Sequence, residues 1–237
     1  MGQSFPLDPT RWRRYYLLGV VSALPAGCWS GLRSIAPADL TPMSPAIVAG
    51  WAGELAPRRA MEVHLRWRFE NQKGSSGGRA VVRIAPPDTL RFDYRGPFGK
   101  SGSAVVVEGR KLWAQPEGDF RSLIPVAPLF WAALGMPTEP PDGAALSGRD
   151  GPDRRAWRYA VGDEVLDFIL EPEPAGRLLA EMRVGTRIVG VTETQFDTAR
   201  QPQRATMTFP QDASRFSFTI EAIDTLVVFD AETWKAS

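Results

Sequence analysis

The sequence contains a single cysteine, Cys28, and a single histidine, His64. One chain can therefore form neither an internal disulfide nor a structural zinc site, because each needs several such side chains. The lone histidine also leaves little for a catalytic triad of the Ser-His-Asp kind. Excess charge of one sign is missing too, since 28 Lys and Arg against 27 Asp and Glu give a net charge of +1. No nucleic acid or other polyanionic partner is indicated.

The apolar run near the N-terminus, Tyr15–Leu24, is too short to span a bilayer as a helix. It has about ten residues, whereas the hydrocarbon core is roughly 30 Å thick. Arg11, Arg13 and Arg14 precede it and form a positively charged region. This pattern predicts an export signal peptide over residues 1–27.

Small residues followed by cysteine end this segment, in the order Leu24-Pro25-Ala26-Gly27-Cys28. The pattern resembles a bacterial lipobox, although Pro25 stands where an aliphatic residue is usual. We therefore expect lipidation of Cys28, which would anchor the mature chain to a membrane through acyl groups. An ordinary cleaved signal with an incidental cysteine is the alternative. No aspartate follows Cys28, which by enterobacterial sorting logic favours the outer membrane of a bacterial cell envelope.

The proline- and glycine-containing residues 28–44 predict a flexible tether, and residues 45–237 a single folded domain. In that domain, the 22 glycines and 21 prolines of the chain punctuate short runs in which apolar and polar residues alternate. This pattern predicts a mainly β protein of about eleven strands in one curved antiparallel sheet, with a glycine-serine turn over residues 71–78. The predicted strands span 61–70, 79–85, 90–95, 103–107, 111–115, 156–161, 165–170, 177–184, 188–196, 203–209 and 215–222, with further short pieces possible at 120–124 and near Ala145.

Two short helices interrupt the strands. Ser44 and Pro45 form a helix start, with Ser44 as side-chain cap, and Pro57 marks the end. Ile47, Val48, Trp51 and Leu55 share one face of that helix and predict its packing surface. The second helix, around residues 129–134, is apolar on all sides and stops at Gly135-Met136-Pro137. We expect it to lie in the concavity of the sheet, with Trp131 as its most enclosed residue.

A hairpin over residues 90–107 carries an unusual connection, Gly96-Pro97-Phe98-Gly99-Lys100-Ser101-Gly102. Connecting loops usually run over the surface and are polar. A phenylalanine at the tip must either fold back onto the sheet or contact something apolar outside the protein. The sequence leaves both possibilities open.

Two of these segments resemble one family. The run Leu90-Arg91-Phe92-Asp93-Tyr94-Arg95-Gly96-Pro97-Phe98-Gly99 is similar to the strand and loop of the outer-membrane lipoprotein receptor LolB, and Trp131-Ala132-Ala133-Leu134-Gly135-Met136-Pro137 is similar to its Trp-x-x-Leu-Gly-x-Pro helix end. The order of elements also agrees, and it is shared by the related lipoprotein carrier LolA.

The resemblance implies an unclosed half-barrel whose apolar concave face is covered by short helices. Acyl chains of lipoproteins or lipids would lie in that concavity, without any cofactor, metal or catalytic residue. The implied lining residues are Trp67, Phe69, Leu90, Phe92, Tyr94, Leu129, Phe130, Trp131 and Leu134. Pro97 and Phe98 would form a membrane-insertion loop, with Phe98 in place of the family's leucine. A periplasmic lipoprotein chaperone is the implied protein partner.

Two other functions are compatible with the sequence. A regulatory or structural lipoprotein could use the same scaffold to sense or bind a protein, because one fold hosts several functions. An enzyme is disfavoured, since its candidate residues are weak. His64 alternates with arginines on a polar strand face, and Asp163, Glu164 and Asp167 flank a turn and predict a solvated surface.

Overall fold

The computed structural model describes residues 33–107, 110–116, 126–171 and 176–235. The predicted signal peptide, Cys28 and the possible strand at 120–124 lie outside the described residues. No helix in the described ranges is long and apolar enough to cross a membrane.

One antiparallel sheet of thirteen strands forms the body of the described chain, and it does not close into a barrel. Its strands are β1 Thr41–Pro42, β2 Met61–Asn71, β3 Gly74–Ala85, β4 Thr89–Arg95, β5 Ser101–Val107, β6 Arg110–Gln115, β7 Ala145–Asp150, β8 Arg155–Val161, β9 Glu164–Glu171, β10 Arg177–Val184, β11 Arg187–Phe196, β12 Pro202–Phe209 and β13 Ser214–Asp224. The spatial order is β1-β7-β8-β9-β10-β11-β12-β13-β2-β3-β4-β5-β6. Two α-helices are present in the described ranges, α1 Pro45–Leu55 and α2 Ala127–Ala133, with short 3-10 helices at Pro97–Gly99 and Ala231–Trp234.

The predicted fold class is confirmed, with two strands more than expected in the described chain. β1 lies in the predicted tether and pairs with β7. The tether therefore packs on the sheet over its described part, where the Ser34 hydroxyl also donates to Glu181 at 2.5 Å. The predicted turn over residues 71–78 is wrong, because Gly74 already pairs with Asn71 and begins β3.

Helix α1 packs on the sheet through Val48, Trp51 and Ala52, which are buried. Ile47 does not belong to this face, since it is 47% exposed. The predicted side-chain cap is also absent, because Ser44 makes no capping hydrogen bond. Pro45, at the first helical position, has its φ fixed by the ring and needs no hydrogen-bond acceptor for a backbone N–H, which favours the helix start without a cap.

Helix α2 lies in the concavity and contacts β10, β11 and β12. Its end is a Schellman motif, in which the Gly135 amide donates to Ala132 (2.9 Å) and the Met136 amide donates to Trp131 (3.0 Å). Gly135 has a φ of +82°, a conformation that favours glycine. The predicted stop at this glycine is therefore confirmed.

Two buried threonines of β11 fix α2 to the sheet. The Thr192 hydroxyl donates to the Leu129 carbonyl at 3.1 Å, and the Thr194 hydroxyl donates to the Ala132 carbonyl at 2.8 Å. Both threonines are fully buried, so these bonds leave their hydroxyls paired. The sequence pattern gave no indication of this role.

A buried ion-pair cluster on the opposite face of the sheet corrects one prediction. Asp163 and Glu164 are exposed, as expected, whereas Asp167 is fully buried. Arg158 Nε and Arg183 Nη2 each lie 2.6 Å from a different Asp167 carboxylate oxygen. Asp167 is therefore a paired structural residue, because its strand neighbours carry the arginines that compensate its charge.

Candidate functional site

The predicted lining residues come together, but mostly as a packed core. Phe130 of α2 makes edge contacts with Phe92 (5.5 Å between ring centroids) and with Phe218 (6.3 Å). Trp67 contacts Tyr94 in the same cluster at 5.8 Å. Leu90, Leu129 and Leu134 are also buried in it, and Phe69 packs at its edge. These side chains fill the concavity between the sheet and α2.

Trp131 occupies a different position from the one expected. It is 5% exposed, whereas the other residues of Leu129–Leu134 are 0–2% exposed. The prediction that Trp131 is the most enclosed residue of its helix is therefore wrong. Its indole forms a wall of an open cavity beside α2, and among the predicted lining residues it alone belongs to the described lining of that cavity.

The cavity has a volume of about 810 Å³ and an apolar floor. Tyr159, Leu166 and Met182 lie side by side on β8, β9 and β10, because Leu166 is the register partner of both other residues. All three pack against the hydrophobic core. Pockets of this size hold small organic ligands.

Prolines form much of the cavity wall. They come from the end of α1, the β3–β4 turn, the start of α2 and the segment that follows α2: Pro57, Pro86, Pro87, Pro128, Pro137, Pro140 and Pro141. A proline offers an apolar ring and no backbone N–H donor. The wall therefore presents few groups that must be hydrogen-bonded when a ligand displaces water.

The rim of the cavity is acidic. Asp88, Glu139, Asp142 and Glu164 belong to the lining, and no basic residue does among the described lining residues. The floor is neutral, since burial raises the pKa of the Tyr159 hydroxyl and the nearby Glu139 carboxylate raises it further. The protonated hydroxyl donates to the Thr138 carbonyl at 2.9 Å. The site thus combines an apolar, uncharged interior with a negative rim.

The predicted membrane-insertion loop lies at the other end of β4 from the cavity turn. Pro97, Phe98 and Gly99 form one 3-10 turn, closed by a 2.7 Å hydrogen bond from the Gly96 amide to the Lys100 carbonyl. Pro97 and Gly99 are exposed. The Phe98 side chain lies outside the described part of the structure.

His64 and Glu62 are neighbours in a group of charged side chains on the sheet. The His64 imidazole is 3.0 Å from Glu62 and its side chain is 44% exposed on the outer face of β2. Arg83 lies between Glu62 (2.9 Å) and Asp93 (2.5 Å) on the same face. These partly exposed groups form one network of ion pairs and hydrogen-bonding side chains on the strand surface.

The described chain is an open antiparallel half-barrel with an apolar pocket beside an internal helix. Among solved structures, the chain is similar to a LolA superfamily protein from Nitrosomonas europaea, with a TM-score of 0.54 and 10% identity, over 82% of this chain and 98% of that one. At this identity the match shows the fold, so the chain has a LolA-like fold, and the resemblance to LolB in particular stays a prediction.

Two further structures match at lower similarity. A DUF1329 family protein from Desulfovibrio piger has a TM-score of 0.35 and 7% identity, over 81% of this chain and 95% of that one. A chain of the Pseudomonas aeruginosa MucA/MucB complex has a TM-score of 0.31 and 12% identity, over 81% and 61% respectively. No protein-family model and no curated sequence matches the chain.

Proposed function

We propose that the protein is a lipid-anchored lipoprotein of the bacterial envelope that binds acyl chains of lipoproteins or lipids and helps to transfer them into the outer membrane. The observation that carries this proposal is the apolar cavity beside α2 in a LolA-like fold. The loop at Pro97–Gly99 is similar in sequence to the corresponding loop of LolB, and this similarity supports the proposed role in transfer to a membrane. Cargo binding of this kind needs no catalytic group.

The transfer of the acyl chain's methylene groups from water into the apolar cavity supplies the binding energy. Each methylene that leaves water contributes about 0.8 kcal/mol, so ten methylenes contribute about 8 kcal/mol before the costs of immobilising the ligand. The floor of Tyr159, Leu166 and Met182 offers a surface of suitable chemistry. An acyl chain would lie along this floor, with Trp131 as its wall.

The buried part of the predicted lining has a supporting role in this proposal. Phe92, Phe130 and Leu129 hold α2 in the concavity, and Thr192 and Thr194 fix its carbonyls. With α2 fixed, the cargo enters beside the helix instead of replacing it. The acidic rim disfavours an anionic headgroup at the cavity mouth, because like charges repel at close range.

Titration with the fluorescent methyl ester of a fatty acid, here called the fatty-acid probe, tests this function, because the ester places no negative charge at the acidic rim. The full chain carrying Cys28→Ala removes any acyl group of its own from the measurement. We expect saturable binding of one probe per chain, displaced by the unlabelled ester. No saturable binding, together with specific retention of an envelope protein, would instead support the regulatory or structural alternative.

The anchor is tested by metabolic labelling with palmitate. We expect label on the wild-type chain and none on Cys28→Ala, because the acyl chains attach at that cysteine. The variant should also move from the membrane fraction to the soluble fraction. Equal labelling of both chains would remove the lipoprotein assignment.

The loop is tested by Phe98→Glu, with Lys100→Glu as a charge-changing neighbour for comparison. If Phe98 inserts into a bilayer, a buried ring contributes about 1–2 kcal/mol to membrane contact. We expect Phe98→Glu to slow delivery of cargo to liposomes about tenfold while the melting temperature changes little, since exposed positions tolerate substitution. A sharp fall in melting temperature would show that the ring packs on the protein, and would end the insertion role.

A further inference from the structure

A row of arginines crosses the outer face of the sheet. The register aligns Arg66 of β2 with Arg79 of β3, and Arg79 with Arg95 of β4. In the other direction, Arg66 is aligned with Thr219 of β13, and Thr219 with Arg204 of β12. Four arginines thus lie in one line across five neighbouring strands. Like charges directly opposite each other destabilise a sheet, so this arrangement is not explained by folding.

Carboxylates compensate only part of this charge. Glu221 lies 2.7 Å from Arg66 and 3.6 Å from Arg79. Within the described ranges, no carboxylate lies at ion-pair distance from Arg95 or Arg204, and both are exposed. The Arg66 and Arg79 side chains are themselves 65% and 74% exposed. The row therefore presents available guanidinium groups to solvent.

The row lies along an open groove of about 1060 Å³. The described lining contains a fifth arginine, Arg68, which pairs with Glu70 at 2.9 Å, and no carboxylate. Hydroxyl groups of Ser76 and Ser217 are also part of the lining. At Gly78, a Cβ atom would collide with the backbone of β4, so this floor must remain free of a side chain. The result is a shallow surface of guanidinium and hydroxyl donors.

The groove continues into the exposed loop. Arg95, Gly96 and Pro97 all belong to its lining, so the arginine row ends where the turn at Pro97–Gly99 begins. Guanidinium groups bind phosphate oxygens with two parallel hydrogen bonds. Positive charge next to an apolar loop tip is the combination that suits the headgroup layer of a bilayer.

We propose that this arginine groove docks the protein on a membrane surface rich in anionic phospholipid, with lipid phosphates lying along the row Arg204–Arg66–Arg79–Arg95. The groove sits at the opposite end of β4 from the cavity turn at Pro86–Asp88. This inference rests on the proposed function at a membrane, but it does not depend on which ligand the cavity binds. Docking would bring the Pro97–Gly99 loop to the bilayer and hold the body in one orientation.

Vesicle co-sedimentation tests the docking surface. The full Cys28→Ala chain is compared with the same chain carrying Arg79→Gln and Arg95→Gln, on phosphatidylglycerol-containing and pure phosphatidylcholine vesicles. Each surface arginine contributes about 1 kcal/mol on an anionic membrane, so the partition coefficient should fall about thirtyfold in the double variant. Arg149→Gln with Arg154→Gln removes the same charge from exposed positions outside the groove, and this control should retain most of the binding.

The melting temperature and the control variant distinguish docking on lipid from misfolding and from a general loss of charge. Arg79→Gln removes the 3.6 Å ion pair with Glu221, but Glu221 keeps its 2.7 Å ion pair with Arg66, so the melting temperature of the double variant should change little. A lower melting temperature, an equal loss of binding in the control, or no preference of the parent chain for anionic vesicles would each overturn the proposal. Binding of inorganic phosphate by the parent chain without binding to anionic vesicles would identify a site for a free ion, and would also overturn it. Binding of the fatty-acid probe is measured separately, so failure of docking and failure of the cargo site are distinguishable.

Discussion

Phe130→Ala is expected to lower the free energy of unfolding by about 3–5 kcal/mol, the range for truncating a buried aromatic side chain. Phe130 is 2% exposed and contacts the aromatic rings of Phe92 on β4 and Phe218 on β13. The truncation would leave a cavity in the core. Helix α2 cannot easily move to close this cavity, because hydrogen bonds from Thr192 and Thr194 hold its backbone in place. Urea unfolding followed by tryptophan fluorescence measures the loss.

The matched control for this variant is Ile47→Ala on α1. Ile47 is 47% exposed, so its truncation should change the free energy of unfolding by no more than about 0.5 kcal/mol. A loss below about 1 kcal/mol for Phe130→Ala would contradict the packed arrangement of α2. It would favour a movable helix, and with it a cargo site that extends beneath α2.

Leu166→Glu is expected to abolish binding of the fatty-acid probe. Leu166 lies at the centre of the cavity floor, between Tyr159 and Met182. An acyl chain on this floor would bury the new carboxylate without a partner, which costs more than the contact with the chain provides. The apparent Kd should rise at least about a hundredfold, equivalent to about 2.7 kcal/mol.

The same chemical change at Leu226 provides the control, because Leu226 is 88% exposed on the C-terminal segment and does not belong to the described cavity lining. Leu226→Glu should bind the probe as the parent chain does. Leu166→Trp gives a second variant, which fills the cavity without introducing charge and should also weaken binding. Unchanged binding in both Leu166 variants, with folding verified by circular dichroism, would move the cargo site away from this cavity.

Local patterns predicted most of the sheet. Alternation along residues 61–70 placed Val63, Leu65 and Trp67 on one face, and the structure buries all three. The helix stop at Gly135 was also predictable, since glycine provides the backbone conformation that a Schellman motif requires. These features depend on neighbours within a few residues in the chain.

The cavity could not be predicted in the same way. Its wall joins Pro57, Pro86 and Pro128 with residues of β9 and β10, and only the curvature of the sheet brings these segments together. The prediction for Trp131 failed for this reason, because an all-apolar helix gives no sign of which side faces an opening. The prediction for Asp167 failed because its partners, Arg158 and Arg183, are identified by strand pairing and not by spacing.

Mass spectrometry of lipid extracted from the full Cys28→Ala chain, purified in parallel with the same chain carrying Leu166→Glu, tests the cargo cavity most directly. The parent chain should carry close to one acyl-containing molecule per protein, whereas the variant should be folded and nearly empty. Lipid-free parent protein would contradict the proposed function. Equal lipid content in the two chains would contradict the assignment of Tyr159, Leu166 and Met182 as the surface that binds it.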